Sequence, residues 1–291
     1  MFKILGILLT IMLLFPLNSI AQNTEAPIKK IEQMLYPTVM VDLRNGQGSG
    51  TVVFSDIRKH PSWKDEKVWS LILTNFHVVS SAITISEEFD PIKGKEIKKE
   101  TRSPVHVRFW DYNDYSSAVG TTGRTAKIVA WDKARDLALL RIDDKERRLE
   151  NVGVVWPEDV GGPYLFQTVW AVGSGLGNPP YPTQGLLSGI SGRDSNGLPM
   201  YLSSAPIIFG NSGGSLWAYS KNRKRYELIG VPTSISAIGW GTIVAHMAWS
   251  RPVSEIRTFL RENSFGFVIG DEDVAKKELK DEDDDEKGVD K

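Results

Sequence analysis

Ten short apolar segments recur between residues 38 and 246, separated by Gly, Pro, Asn or Asp: "TVMVDL", "GTVVF", "WSLILT", "VHVRFW", "TAKIVAW", "LALLRI", "TVWAVG", "GSLWAY", "YELIGV" and "GTIVAH". Runs this short are poor helices, and their Val, Ile, Thr and aromatic side chains suit a pleated, half-buried surface. The pattern predicts an all-β chain built as a barrel or sandwich. Helical spacing occurs only in "PVSEIRTFLREN", residues 252–263, where Val253, Ile256, Phe259 and Leu260 fall on one face after a proline suited to a first turn. A C-terminal helix is expected there. The polar stretch from Arg147 to Pro163 is the expected linker between two strand-rich parts, about 35–150 and about 160–250. Residues 55–67 and 87–104 are expected to be surface loops. From Ser264 the chain turns acidic, and residues 264–291 are expected to be a disordered tail.

With 41% hydrophobic residues, 24% charged residues and a formal net charge of -1, the composition is that of a globular protein and gives no basis for nucleic-acid binding. The opening "MFKILGILLTIMLLFPLNSIAQ" has a basic Lys3, an apolar run from Ile4 to Leu17, and small residues at Ser19 and Ala21. This is the pattern of a signal peptide, residues 1–21, removed on export. The run is too short for a spanning helix, which needs about 18 apolar residues or more. A periplasmic or secreted protein with no lasting membrane insertion is expected, its mature chain starting at Gln22. The absence of cysteine excludes disulfides, thiol catalysis and lipid attachment through that residue. Neither a metal site nor a cofactor is expected.

The chemistry concentrates in "GNSGG", Gly210 to Gly214, where Ser212 is walled in by glycines. Three readings fit these five residues: the nucleophile elbow of an α/β-hydrolase, the nucleophile loop of a trypsin-like protease, and an ordinary tight turn. The rest of the chain separates them. Of four histidines (His60, His77, His106, His246), His77 stands just after an apolar strand in "LILTNFHVVSSA". Asp136 is the last polar residue before the apolar "LALLRI", an odd place for a solvated charge. The order His77, Asp136, Ser212 is that of trypsin-like proteases, whereas an α/β-hydrolase runs Ser, acid, His and follows its serine with a helix. Here a glycine pair and a strand follow. The other glycine cluster, "GSGLG" from Gly173 to Gly177, leads into "NPP" where a nucleotide-binding loop would open a helix, so it reads as a plain loop.

The segments "LTNFHVV", "RDLALLRI" and "GNSGGSL" resemble the His, Asp and Ser boxes of trypsin-like serine peptidases, most of all the HtrA/Deg-like branch. The likeness extends to "VWAVGSGLGNPPYPTQGLLSGISGR", "ELIGVPTSIS" and "AWSRPVSEIRTFL", covering roughly residues 35–262. It implies a protease domain over about 30–262, made of two six-stranded antiparallel β-barrels with a catalytic cleft between them. His77 and Asp136 would come from the first barrel and Ser212 from the second. In that mechanism His77 takes the proton of Ser212, Asp136 fixes the imidazole tautomer, and the N–H groups of Gly210 and Ser212 form the oxyanion hole. Counting by the same resemblance puts Pro206 at the base of the primary specificity pocket with Ile207 beside it, and Thr233 and Ala248 on the opposite wall. None of the four carries a charge, so aliphatic P1 residues are expected.

Two departures matter. Animal trypsin-like zymogens carry an aspartate before the nucleophile to receive a freed N-terminus; Asn211 stands there instead. The HtrA branch usually carries a PDZ domain after the protease, where this sequence has the acidic stretch 264–291, so peptide-gated activation is not expected to carry over. The resemblance implies protein or peptide substrates and leaves the oligomeric state open. A catalytically inactive peptide-binding scaffold and an esterase using the same triad remain as alternatives.

Overall fold

Two of the apolar segments are hydrophobic on both faces, and the fold explains why. In the computed structural model, β3 (Lys67–Thr74) and β8 (Leu137–Asp144) pair in the wall of a barrel. Ile72, Ala138, Leu140 and Ile142 point into that barrel's core, while Trp69, Leu71, Leu73, Leu137 and Leu139 join a second core outside it. Strands covered on both sides lose the usual alternation of polar and apolar residues. The structure describes residues 27–43, 46–58, 67–90, 94–113, 117–144, 147–159 and 161–271. The expected signal peptide, His60 and the acidic run after Asp271 lie outside the described residues.

The first barrel closes in the order β1 (Thr38–Leu43), β2 (Gly46–Arg58), β3, β8, β7 (Ser117–Asp132), β6 (Val105–Asn113). The second closes as β10 (Tyr181–Arg193), β11 (Pro199–Ser203), β14 (Thr242–Pro252), β13 (Arg225–Ile238), β12 (Ser215–Ser220), β9 (Thr168–Gly173). All ladder pairings are antiparallel, the two six-stranded barrels expected of a chymotrypsin-like chain. A single helical turn, α1 (Phe76–Val79), follows β3, and α2 (Val253–Glu262) follows β14. The buried residues of α2 are Val253, Ile256, Phe259 and Leu260, the stripe expected from its spacing.

Three local expectations need correction. Residues 87–104 are not a loop throughout: β4 (Ile83–Asp90) and β5 (Lys95–Arg102) pair as a two-stranded ribbon. Glu87 directly faces Lys98, and Lys99 bonds Glu88 diagonally across the ribbon at 3.2 Å, so two pairs of opposite charge support the pairing. Arg102 anchors the ribbon to the first barrel through the carbonyls of Ile128 and Val129, at 2.9 and 3.0 Å. Similarly, β2 runs on to Arg58. Residues 264–271 pack rather than trail, because "SFGFVIG" is apolar; Phe265 is buried and Asp271 pairs with Arg261 at 2.6 Å. The expected linker fills the seam between barrels, where the Gly153 N–H donates to the Val52 carbonyl and the Trp156 N–H to that of Leu228.

Candidate active site

Strand β3 ends at Thr74, and Asn75 in extended backbone (φ -85°, ψ 150°) turns the chain into α1, which carries His77. The turn from β7 to β8 carries Asp136, held at φ 55° in the left-handed region that non-glycine residues rarely occupy. Strain of this kind persists only where the surroundings fix it. Here Asn75 Nδ2 donates to the Asp136 carbonyl at 2.7 Å, and Arg251 Nε donates to the preceding carbonyl, that of Arg135, at 2.6 Å. The Asp136 carboxylate then meets His77 at two points. Oδ1 accepts the His77 backbone N–H at 2.9 Å, and Oδ2 lies 2.7 Å from His77 Nδ1.

The two arginines tie this turn to the second barrel. The Arg135 guanidinium bonds Asp132 at the end of β7 and Glu255 and Glu262 on α2. Arg251, almost fully buried, also bonds the Pro199 carbonyl at 2.9 Å and Asp194 at 2.7 Å. Burial by itself would push the Asp132 and Asp194 carboxyls up; hydrogen bonds from Arg135 and Arg251, and from neighbouring backbone N–H groups, hold both below the usual range.

The serine loop approaches from the other barrel. Gly210 has φ 98° and Gly213 φ 80°, conformations that L side chains rarely adopt. A Cβ on Gly210 would lie 2.5 Å from the Ser174 carbonyl oxygen, and one on Gly213 would overlap Thr74 Oγ1 and the Ser49 carbonyl oxygen. Four consecutive carbonyls, from Phe209 to Ser212, are occupied. Phe209 O accepts from the Leu176 N–H at 2.7 Å, Gly210 O from Ser49 Oγ at 2.6 Å, Asn211 O from the Gly214 N–H at 3.0 Å, and Ser212 O from the Ser49 N–H at 2.7 Å. Among the described residues, the N–H groups of Gly210 and Ser212 have no acceptor. A trans peptide points its N–H opposite its carbonyl, so anchoring Phe209 O and Asn211 O turns those two donors the other way.

Only a glycine-sized gap separates this loop from α1: a Cβ on Gly48 would lie 2.6 Å from Val78, beside His77, and 3.1 Å from Ser212 O. Among the described residues no hydrogen bond joins Ser212 to His77, a looseness common in unliganded sites. His77 keeps 47% of its side-chain surface exposed and Asp136 17%.

Residues 48–231 match the family model described as a trypsin-like peptidase domain. The chain belongs to that family. Among solved structures of similar fold, the HtrA-type protease AlgW with tripeptide is 17% identical with a TM-score of 0.55, over 82% of this chain and 63% of that one. The chain thus spans less than two thirds of AlgW's length. Deg5 is 20% identical with a TM-score of 0.51, over 81% of this chain and 93% of that one. A serine endoprotease from Yersinia pestis is 19% identical with a TM-score of 0.50, over 84% and 67%. No curated protein matches the sequence significantly.

Within this trypsin-like domain the sequence-predicted pocket residues are spread unevenly. Ile207 is buried and its N–H donates to the Ala245 carbonyl at 3.0 Å; Pro206 is exposed, its carbonyl accepting from Thr183 Oγ1 at 2.7 Å. Ala248 is buried on β14, paired with Ser203 and Ile235. Thr233 falls at a register shift of β13 and turns toward the first barrel, its Oγ1 3.4 Å from Asn75 Nδ2. His246 is exposed on β14 and His106 on β6. Asn211 is buried, and its Oδ1 accepts the Ile208 N–H at 3.0 Å. That bond stiffens the serine loop from within, at the position where zymogens use a charged pair. Sequence reasoning overlooked Asn75, Ser49, Arg251 and the role of "GSGLG". Adjacency to His77 could have flagged Asn75; the others become visible only when strands distant in sequence are paired.

Proposed function

We propose that this trypsin-like domain is an exported serine endopeptidase, with His77, Asp136 and Ser212 as its triad and the Gly210 and Ser212 N–H groups as its oxyanion hole. The observation that carries the reading is the two-point hold of Asp136 on His77, set beside a glycine loop with two unengaged N–H donors. Asp136 accepts the Nδ1 proton, which leaves Nε2 with the lone pair a general base needs. Ser212 loses its proton to His77 as it attacks the carbonyl of the scissile bond, and the oxyanion that forms is met by donors already oriented. Each such donor is worth roughly 2.7–4 kcal/mol. His77 then returns the proton to the leaving amine, and water repeats the sequence on the acyl-enzyme.

Casein digestion with and without a serine-directed phosphonate tests the reaction, and mass spectrometry of the fragments tests the pocket. The substrate-binding residues proposed are Pro206, Ile207, Thr233 and Ala248. A charged P1 side chain among them would be buried unpaired, whereas an aliphatic one gains roughly 1.5–3 kcal/mol on full burial. Cleavage after Val, Leu, Ile or Ala is expected; cleavage mainly after Lys, Arg or Glu would refute the pocket assignment. Hydrolysis of esters without any cleavage of casein or a peptide library would favour the esterase alternative, and phosphonate-insensitive peptide binding the inactive scaffold. Export is proposed on the N-terminal sequence, and N-terminal sequencing of the secreted or periplasmic protein is expected to find Gln22 first. A mature protein that still begins at Met1 would overturn it.

A further inference from the structure

We infer that Ser49 is a positioning residue that holds the oxyanion hole open, an inference that rests on the peptidase reading of the site. Ser49 lies on β2, completely buried, and comes from the opposite barrel to the serine loop. It makes four hydrogen bonds to three separate pieces of the site. Its N–H donates to the Ser212 carbonyl at 2.7 Å, and its Oγ donates to the Gly210 carbonyl at 2.6 Å. The same Oγ accepts the Ser174 N–H from the "GSGLG" turn at 2.7 Å, and the Ser49 carbonyl accepts Thr74 Oγ1 at 2.7 Å, three residues before His77.

A hydroxyl has one proton to give and lone pairs to receive, and both capacities of Ser49 Oγ are in use. Of the four consecutive carbonyls from Phe209 to Ser212, Ser49 holds two. The Leu176 N–H holds Phe209 O, and Leu176 belongs to the turn that Ser49 Oγ grips through Ser174. The hydroxyl therefore fixes both sides of Gly210: the carbonyl after it directly, and the carbonyl before it through the turn. Gly210, at φ 98° with no Cβ, has little intrinsic barrier to rotating its peptide planes. Without Ser49 Oγ, the Gly210 carbonyl and the Ser174 N–H become buried and unpaired, and the loop satisfies them by rotating. Rotation of the Phe209–Gly210 peptide replaces a donor in the hole with a carbonyl oxygen.

The test is Ser49→Ala, with Ser49→Thr keeping a hydroxyl on the same Cβ. For Ser49→Ala, kcat on a peptide substrate is expected to fall roughly 10²–10³-fold, the range for losing one oxyanion donor, with KM within about threefold of the parent, because ground-state binding uses other groups. Affinity for a peptide aldehyde, whose adduct carries the tetrahedral oxyanion, is expected to fall by the same factor as kcat. Ser49→Thr is expected to recover most of the rate. A purely structural role would lower the folded fraction and the unfolding midpoint while leaving kcat per folded, phosphonate-titrated site unchanged; that result, or unaltered aldehyde affinity, overturns the inference. A parent protein that cleaves no peptide overturns the peptidase reading and this inference with it. An active parent with an equally active Ser49→Ala variant overturns only the inference.

Discussion

Replacing Ser212 by Ala is expected to abolish peptide hydrolysis and leave the fold as it is. The two halves of this expectation have separate physical grounds. Loss of rate follows from chemistry: without the hydroxyl no acyl-enzyme forms, and removal of a triad nucleophile costs on the order of 10⁶ in kcat in the best-studied cases. The remnant reflects water attacking a carbonyl polarised by the oxyanion hole. Retention of the fold follows from contacts. The Ser212 link to the first barrel runs through its backbone carbonyl to the Ser49 N–H, which Ala preserves. Its side chain is only half-buried, and removing one such hydroxyl shifts stability by about 0.5 kcal/mol or less. Steady-state kinetics with a peptide substrate and thermal unfolding of the same preparation check both. Activity within tenfold of the parent would remove Ser212 from the triad, and with it the mechanism.

The candidate site was legible in part because the residues proposed for it sit at or near strand ends, where short-range sequence pattern marks them. His77 follows an apolar strand directly, Asp136 precedes one, and Ser212 lies in a glycine loop whose positive φ angles have a compositional signature. The barrels were readable as strands, and their closure and number came from resemblance. What stayed hidden depends on long-range pairing. Nothing local in "GQGSG" says that Ser49 will meet Gly210 and Ser174, which lie 161 and 125 residues away. Arg251 reads as an ordinary charge at the end of a strand until Asp194 and the Arg135 carbonyl are brought to it. The loop expected at 87–104 failed for a related reason: a charged two-stranded ribbon buries little, so it lacks the apolar alternation by which strands are recognised. The tail expected from Ser264 erred by setting the boundary at the last helical residue instead of at the end of "SFGFVIG".

Changing Asp136 to Asn is expected to lower kcat on the order of 10⁴-fold, as the same change does in well-characterised Ser-His-Asp proteases, with little change in stability. The geometry dictates the mechanism of the loss. A carboxamide is close in shape to a carboxylate but has one acceptor and one donor end. The His77 backbone N–H, 2.9 Å from Oδ1, requires an acceptor, so the amide oxygen must take that side. The NH₂ group is then forced toward Nδ1, where Oδ2 stood at 2.7 Å. Facing a donor, Nδ1 must itself be the acceptor, and the single proton of the neutral imidazole moves to Nε2. The atom that should take the proton of Ser212 already carries one. Asn also tolerates the left-handed backbone that Asp136 adopts at φ 55°, so the turn and its bonds from Asn75 and Arg251 survive. Asp136→Ala, by contrast, would strain the turn and leave the His77 N–H without its partner, mixing loss of structure with loss of function. The expected signature of Asp136→Asn is therefore a large fall in kcat with an unfolding midpoint close to the parent's, and ¹⁵N NMR of the imidazole reporting the proton on Nε2. A variant that keeps the proton on Nδ1, or retains kcat within tenfold, would show that Asp136 does not set the tautomer of His77.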